Sequence, residues 1–366
     1  MTNSNKRIYV DIHVLQTVPP SCVNRDDTGS PKTAKYGGTT RARVSSQCWK
    51  HAVRTYFRSN LDDSQLAMRT KKSDEIIAKY LMQDYGYDAE TASKTAIDAL
   101  LKLKIKSSAD GKKDALFFIS NAQAKAIAEV IKESSEDCEE KAYISSLRSA
   151  ILEAPGVEIA LFGRMVAGDT SLNYDACCQV AHAISTHKVS NEFDYFTAVD
   201  DIRATDEDST DNGAGHIGTT EFNSSTLYRY ATVAVHDLEE ELGDITAETV
   251  KQFIKAFAMS MPTGKVNSYA NGTVPDAILV TIRDDQPVNF VGAFESAVNA
   301  KDGYVKASEA ALEDYAADCY ESFVSKPCDA FVTGGLSDKV GKKESFDNLL
   351  ADVEAVLSNK LADMKI

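Results

Sequence analysis

Residues 21–58 read SCVNRDDTGSPKTAKYGGTTRARVSSQCWKHAVRTYFR. Arg25, Lys32 and Lys35 come first, then the pair Gly37-Gly38, then Arg41 and Arg43. Ser45 or Ser46 can cap a helix by accepting a backbone N–H bond. From there Trp49, Ala52, Val53, Tyr56 and Phe57 recur at the i, i+3, i+4, i+7, i+8 spacing of a buried helical face, which predicts a helix to about Arg58. Lys50, Arg54 and Arg58 are four apart and share another face. A loop of cations feeding a helix start suits an anionic chain, because side chains supply charge and the first turn supplies free N–H donors.

The charge balance isolates this stretch. Residues 1–60 hold 10 Lys and Arg against 3 Asp and Glu, a net of +7. The whole chain carries −15, so residues 61–366 carry −22. Such a chain is no general polyanion binder, since most of its surface repels nucleic acid. On charge alone the strip reads equally as a basic face matched to acidic surface elsewhere. The 366 residues suffice for one large or two ordinary domains, and 43 % hydrophobic with 26 % charged residues is the composition of a soluble globular protein. The start, MTNSNKRIYVDIHV, lacks the apolar run of a signal peptide, and no stretch reaches the roughly 18 apolar residues that span a bilayer. Seven cysteines without a CxxC pair point to a reduced, cytoplasmic chain with Cys177-Cys178 as core filler.

Upstream, residues 7–18 alternate: Ile8, Val10, Ile12 and Val14 on one face, Tyr9, Asp11, His13 and Leu15 on the other. That is a strand with one face on a core; its mixed face is either a ligand-facing sheet surface or covered by another element. Downstream, 73–84, 88–104, 120–134 and 137–153 read as helices. The lysines at 102, 104, 106, 112 and 113 form a loose basic edge. After Pro155-Gly156, VEIALFGRM (157–165) is expected as a strand, and YDACCQVAHAISTHK (174–188) as a helix. On such a helix His182 and His187 diverge by about 140° and make a poor metal pair. Residues 190–225 hold two alternating segments around a very acidic loop, an exposed hairpin or flap. Then come a strand at 226–238, a helix at 246–260, a final core strand at 277–284 and helices near 307–322 and 344–362.

PSCVNRDD, YGGTTRARVSSQCWKHAVR, ALFGRM, AHAISTHKV, FTAVDD, GAGHIGTTEFNSSTLYRYA and ESAVNAKDGY, in that order from about residue 8 to 305, resemble the CasC family. This is the backbone subunit of the type I-E CRISPR surveillance complex Cascade. The resemblance implies an α+β fold: an RRM/ferredoxin-like palm (1–60, 151–189 and 226–366), an inserted helical fingers domain (61–150) and a protruding β-hairpin thumb (190–225). It implies CRISPR RNA as the ligand, target DNA met through the guide, further copies of the chain head-to-tail, and other Cascade subunits as partners; no membrane and no cofactor are expected. Contacts to phosphate and ribose are expected from Arg25, Lys32, Arg41, Arg43, Ser45, Ser46, Gln47, Lys50 and Arg54, and from the Gly163-Arg164-Met165 segment, with Met165 near a kinked nucleotide. Phe196, Val199, His216 and Ile217 are the expected thumb residues, with apolar members able to unstack bases. Position 51, basic elsewhere in the family, is His here.

No Walker loop, GxGxxG, GxSxG or HExxH occurs, so binding rather than catalysis is expected. Asp26-Asp27 are the only carboxylates inside the cationic stretch. Adjacent residues on an extended loop point apart, and metal-dependent nucleases need converging carboxylates, so the pair is read as ordering the loop through Arg25 or backbone amides. The alternative is an RNA nuclease using Asp26, of the kind found among type III backbone subunits.

Overall fold

The computed structural model describes residues 7–105, 116–134, 139–153, 155–166, 168–198 and 216–365. Lys106, Lys112, Lys113 and Val199 lie outside the described residues, and of His216 and Ile217 only the backbone is described.

The elements run β1 (Tyr9–Ser21), β2 (Thr33–Tyr36), β3 (Thr39–Val44), α1 (Ser46–Asn60), β4 (Ala67–Thr70), α2 (Ser73–Tyr85), α3 (Ala89–Lys102), β5 (Phe117–Ser120), α4 (Asn121–Glu133), α5 (Glu140–Leu152), α6 (Val157–Phe162), β6 (Cys178–Val180), β7 (Ala183–Ser185), β8 (Glu192–Ala198), β9 (His216–Ala234), α7 (Val235–Leu242), α8 (Thr246–Met259), α9 (Val266–Tyr269), β10 (Ala277–Arg283), α10 (Val305–Ser322), β11 (Asp329–Gly334), β12 (Lys342–Lys343) and α11 (Phe346–Met364). The fold is α+β, as expected. One sheet runs β12-β11-β10-β1-β9-β7-β3-β2, with β6 and β8 also paired to β9, and β4-β5 form a separate pair.

β1 lies between β10 and β9, antiparallel to both, with Ile12 opposite Val280 and Ala231. The alternation of its side chains therefore sorts two cores. Ile8, Val10, Ile12 and Val14 pack with Phe253, Ile254 and Phe257 of α8 and Val353 and Leu357 of α11. On the other face Leu15 packs with Tyr228, Leu279, Phe290, Phe294 and Leu312. That face is thus covered, not ligand-facing. Its polar members are held inside: Tyr230 Oη donates to Asp11 Oδ1 at 2.8 Å, and the His13 ring stacks on Phe290 with centroids 4.5 Å apart, its Nδ1 2.8 Å from Tyr228 Oη and its Nε2 without a partner among the described residues. Burial pushes the Asp11 carboxyl up to about 6 and the His13 imidazole down to about 3.

Helices α2–α5 and β5 enclose their own apolar core, which also takes in Val166 and Leu172. Their 3.6-residue periodicity made all four legible. Four other expectations are corrected. The segment 157–162 is helix α6, not a strand: Val157 to Leu161 are buried on every side, so no periodicity distinguishes the two. The segment 174–188 is not helical; β6 and β7 inside it add to β9, and this pairing overrides the local pattern. The strand expected at 226–238 ends at Ala234, and Val235 begins α7. β10 is not the last strand, since β11 pairs along its other edge.

Candidate nucleic-acid interface

The cationic stretch is not a loop throughout. Gly37 and Gly38 adopt φ of +55° and +74°, two successive left-handed residues that turn β2 into β3, with Tyr36 opposite Thr39. The tip is docked: a Cβ on Gly37 would lie 1.6 Å from the Glu295 carbonyl oxygen, and Tyr36 Oη donates to Val291 O at 3.2 Å. β3 delivers the chain to the start of α1. Ser45 is the cap, its Oγ accepting from Cys48 N at 3.3 Å, while its own N–H donates to Asn24 Oδ1 at 2.9 Å. Lys32 N donates to Asn24 O at 2.8 Å, so the loop before β2 is tied to the same helix start. The first turn of α1 contains no acidic residue.

Besides Ser45, 5 % exposed and used as the cap, three of the expected contact residues are removed from the surface. Arg41 is 0 % exposed; it donates to Ser185 O, Thr186 O and Phe294 O at 2.8–2.9 Å. Arg54 is 8 % exposed and its Nε donates to Glu158 Oε1 at 2.7 Å. Arg164 is 4 % exposed and donates to Leu172 O, Phe118 O and Gln123 Oε1 at 3.0–3.2 Å. The physical reason is common to all three. A guanidinium presents five donors in a plane and can satisfy carbonyls that would otherwise be buried without partners. Burial lowers each of their pKa values, that of Arg164 to about 10.

The remaining residues gather around the start of α1. Arg43 Nη1 lies 3.3 Å from His182 Nδ1. The pKa of His182 is lowered by partial burial and then by the charges of Arg43 and Lys32, so the three share one patch. Ser46 and Gln47 follow at the helix start, Gln47 exposed. Lys50, one turn on, places its ammonium 5.6 Å from the centre of the Phe162 ring. Phe162 leads into Gly163, whose φ of +72° and contact with Tyr174 O, 2.9 Å from where a Cβ would stand, leave no room for a side chain. Arg164 pairs with Tyr174 and anchors the turn, and Met165 then projects into solvent, 88 % exposed. Among the described residues, none of Arg25, Lys32, Lys35, Arg43, Lys50 and Arg58 forms an ion pair with a carboxylate.

Arg25 lies slightly apart, in a cleft of about 910 Å³ between residues 23–29, the outer side of α1 (Cys48, His51, Thr55) and Met259–Gly264. Beside it, Asp26 Oδ1 accepts from Thr28 Oγ1 at 2.7 Å, Thr28 N at 3.0 Å and Ser30 N at 3.1 Å. The Thr28 hydroxyl bond is the main cause holding its carboxyl below the usual range. Asp26 therefore orders its own loop. Among the described residues, no three His, Cys, Asp or Glu side chains converge as a metal site would require. His187, expected beside His182 on a helix, instead accepts from Thr226 N at Nε2, 3.1 Å away, and stacks on Tyr304.

β8 pairs with the outer half of β9, from Glu192 opposite Phe222 to Ala198 opposite His216. This hairpin exposes Phe193 at 68 % and Tyr195 at 63 %. Phe196, on the opposite face, lies over Gly218, where a Cβ would sit 2.3 Å from its ring. Phe196, expected as a thumb residue, is itself 44 % exposed; the more exposed Phe193 and Tyr195 were not among the expected residues, although their two-residue spacing is a readable signal. Sequence reasoning also missed His182 and Phe162 as parts of the strip, because the elements carrying them were misassigned.

The model of the CT1975-like protein family matches residues 10–356. Among solved structures, a chain of a CRISPR RNA-guided surveillance complex, pre-nicking, is 32 % identical, with 95 % of this chain and 100 % of that chain covered and a TM-score of 0.79. A chain of a second CRISPR RNA-guided surveillance complex is 28 % identical, with 95 % and 99 % covered and a TM-score of 0.63. No curated protein matches the chain.

Proposed function

Because the chain belongs to the CT1975-like protein family, we propose that it is a CRISPR RNA-binding backbone subunit of a surveillance complex, non-catalytic and of type I-E. Copies line up head-to-tail along one guide in the cytoplasm, alongside other Cascade subunits, and hold the guide for pairing with target DNA. The palm is RRM-like in this reading. Phosphate and ribose are held without reading sequence, and base pairing supplies specificity. The observation that carries the proposal is the set of cations, Lys32, Arg43 and Lys50, around an acid-free helix start, none paired with a carboxylate among the described residues of a chain with net charge −15. A heterologous contact repeated from copy to copy propagates into an open helix and joins each strip to the next.

The test is direct. Arg43→Glu/Lys50→Glu should abolish RNA-dependent assembly in size exclusion while leaving the melting temperature unchanged. Wild-type protein should copurify with one discrete small RNA. Assembly of the double variant at wild-type levels would refute the proposal. Incubation with labelled RNA and magnesium or manganese addresses the nuclease alternative: cleavage that disappears in Asp26→Ala would replace the non-catalytic reading.

A further inference from the structure

Lys265 is a cation that the strip around α1 leaves out. It stands at the start of α9 with φ 48° and ψ 28°, the left-handed region. Side chains with a Cβ rarely adopt it, and such residues collect where function over-determines the backbone. Ala270, at the other end of α9, is left-handed as well, with φ 46°. The residue before, Gly264, is pressed onto residues 22–23: a Cβ there would be 2.3 Å from the Val23 carbonyl oxygen. The loop is therefore fixed in place, and the place puts Lys265 Nζ 2.9 Å from Thr220 Oγ1 in the outer half of β9.

An ammonium has three donors, and Thr220 takes one. Among the described residues Lys265 forms no ion pair with a carboxylate. Arg25 is its companion. Both charges act on the Cys22 thiol, opposing the rise that burial causes. Gly264 and Arg25 line the same cleft. Lys265 thus stands where three parts meet: the stem of the β8-β9 hairpin, the loop that carries Arg25, and the wall of the cleft.

We infer that Lys265 is a phosphate-binding residue that links the basic strip to the hairpin, aimed by its bond to Thr220; this rests on the RNA-binding reading above. A residue that only propped the hairpin would not change the number of counterions released on binding. Affinity of the full chain for a labelled single-stranded RNA of mixed sequence, followed by anisotropy over a salt series, separates the two. Lys265→Gly keeps the left-handed backbone at ease, and Lys265→Met keeps the aliphatic stem. Both should bind about tenfold more weakly at low salt, with the slope of log K against log salt shallower by about one. Thr220→Val should weaken binding less and leave the slope unchanged. If wild type binds and Lys265→Gly retains its affinity and slope, the inference is overturned while the RNA-binding reading stands. A loss confined to Lys265→Met, accompanied by a lower melting temperature, assigns a structural role and also overturns it. If wild type itself binds no RNA, both fail.

Discussion

Arg54 and Lys50 are one helical turn apart, yet they do different jobs. Glu158, 0 % exposed, receives Arg54 on one oxygen and Ala67 N, at 2.6 Å, on the other. Removing the guanidinium leaves a buried carboxylate without its counter-charge, and breaking such a pair costs about 3 kcal/mol or more. Arg54→Met should therefore lower stability by about 3 kcal/mol in urea unfolding, and Arg54→Met/Glu158→Gln should recover part of the loss. Lys50→Met should move stability by no more than about 0.5 kcal/mol. Helical spacing placed residues 50, 54 and 58 on one face correctly. What it could not show is that α6 brings an acid against only one of them. The same holds for Arg41 and Arg164: the sequence shows a cation, and only tertiary structure shows the carbonyls it serves.

At the scale of elements, periodicity was legible where an element has one wet and one dry side. α1 and the four helices of the 61–152 region fall in this class; β1 is buried on both faces and was legible through the alternation of its residues. It failed for α6, β6 and β7, which are short and held by tertiary contacts, so their burial carries no period. The β2-β3 hairpin was missed for another reason: the stretch before α1 was read as a loop of cations, whereas its glycine pair makes a turn docked against Glu295. Gly37→Ala adds a Cβ at 1.6 Å from a backbone oxygen as well as an unfavourable φ, and should lower stability by about 2 to 3 kcal/mol. Gly38→Ala has nothing within 4 Å and should cost only the backbone preference, about 1 kcal/mol. Thermal unfolding of the two variants checks the difference; equal losses would mean that the docking contributes nothing.

For the whole molecule, the separation of charge between residues 1–60 and the rest was readable from composition, and the order of the matching blocks pointed to the family. How many of the cations remain free was not readable, since it depends on where the chain's own carboxylates and carbonyls end up. The nineteen residues of β9 tie the two ends of this arrangement together. Its inner half is paired with β1 on one side and with β6 and β7 on the other, while the strand pairing of its outer half, among the described residues, is with β8. One backbone thus runs from the sheet's centre into solvent, and its amides should exchange with deuterium at graded rates along a single strand. Tyr230 to Val233 should be among the slowest in the chain, Thr219 to Phe222 far faster, with the change near the register shift opposite Val18–Ser21. Uniform protection from end to end would mean that the projecting half is as firmly held as the buried one.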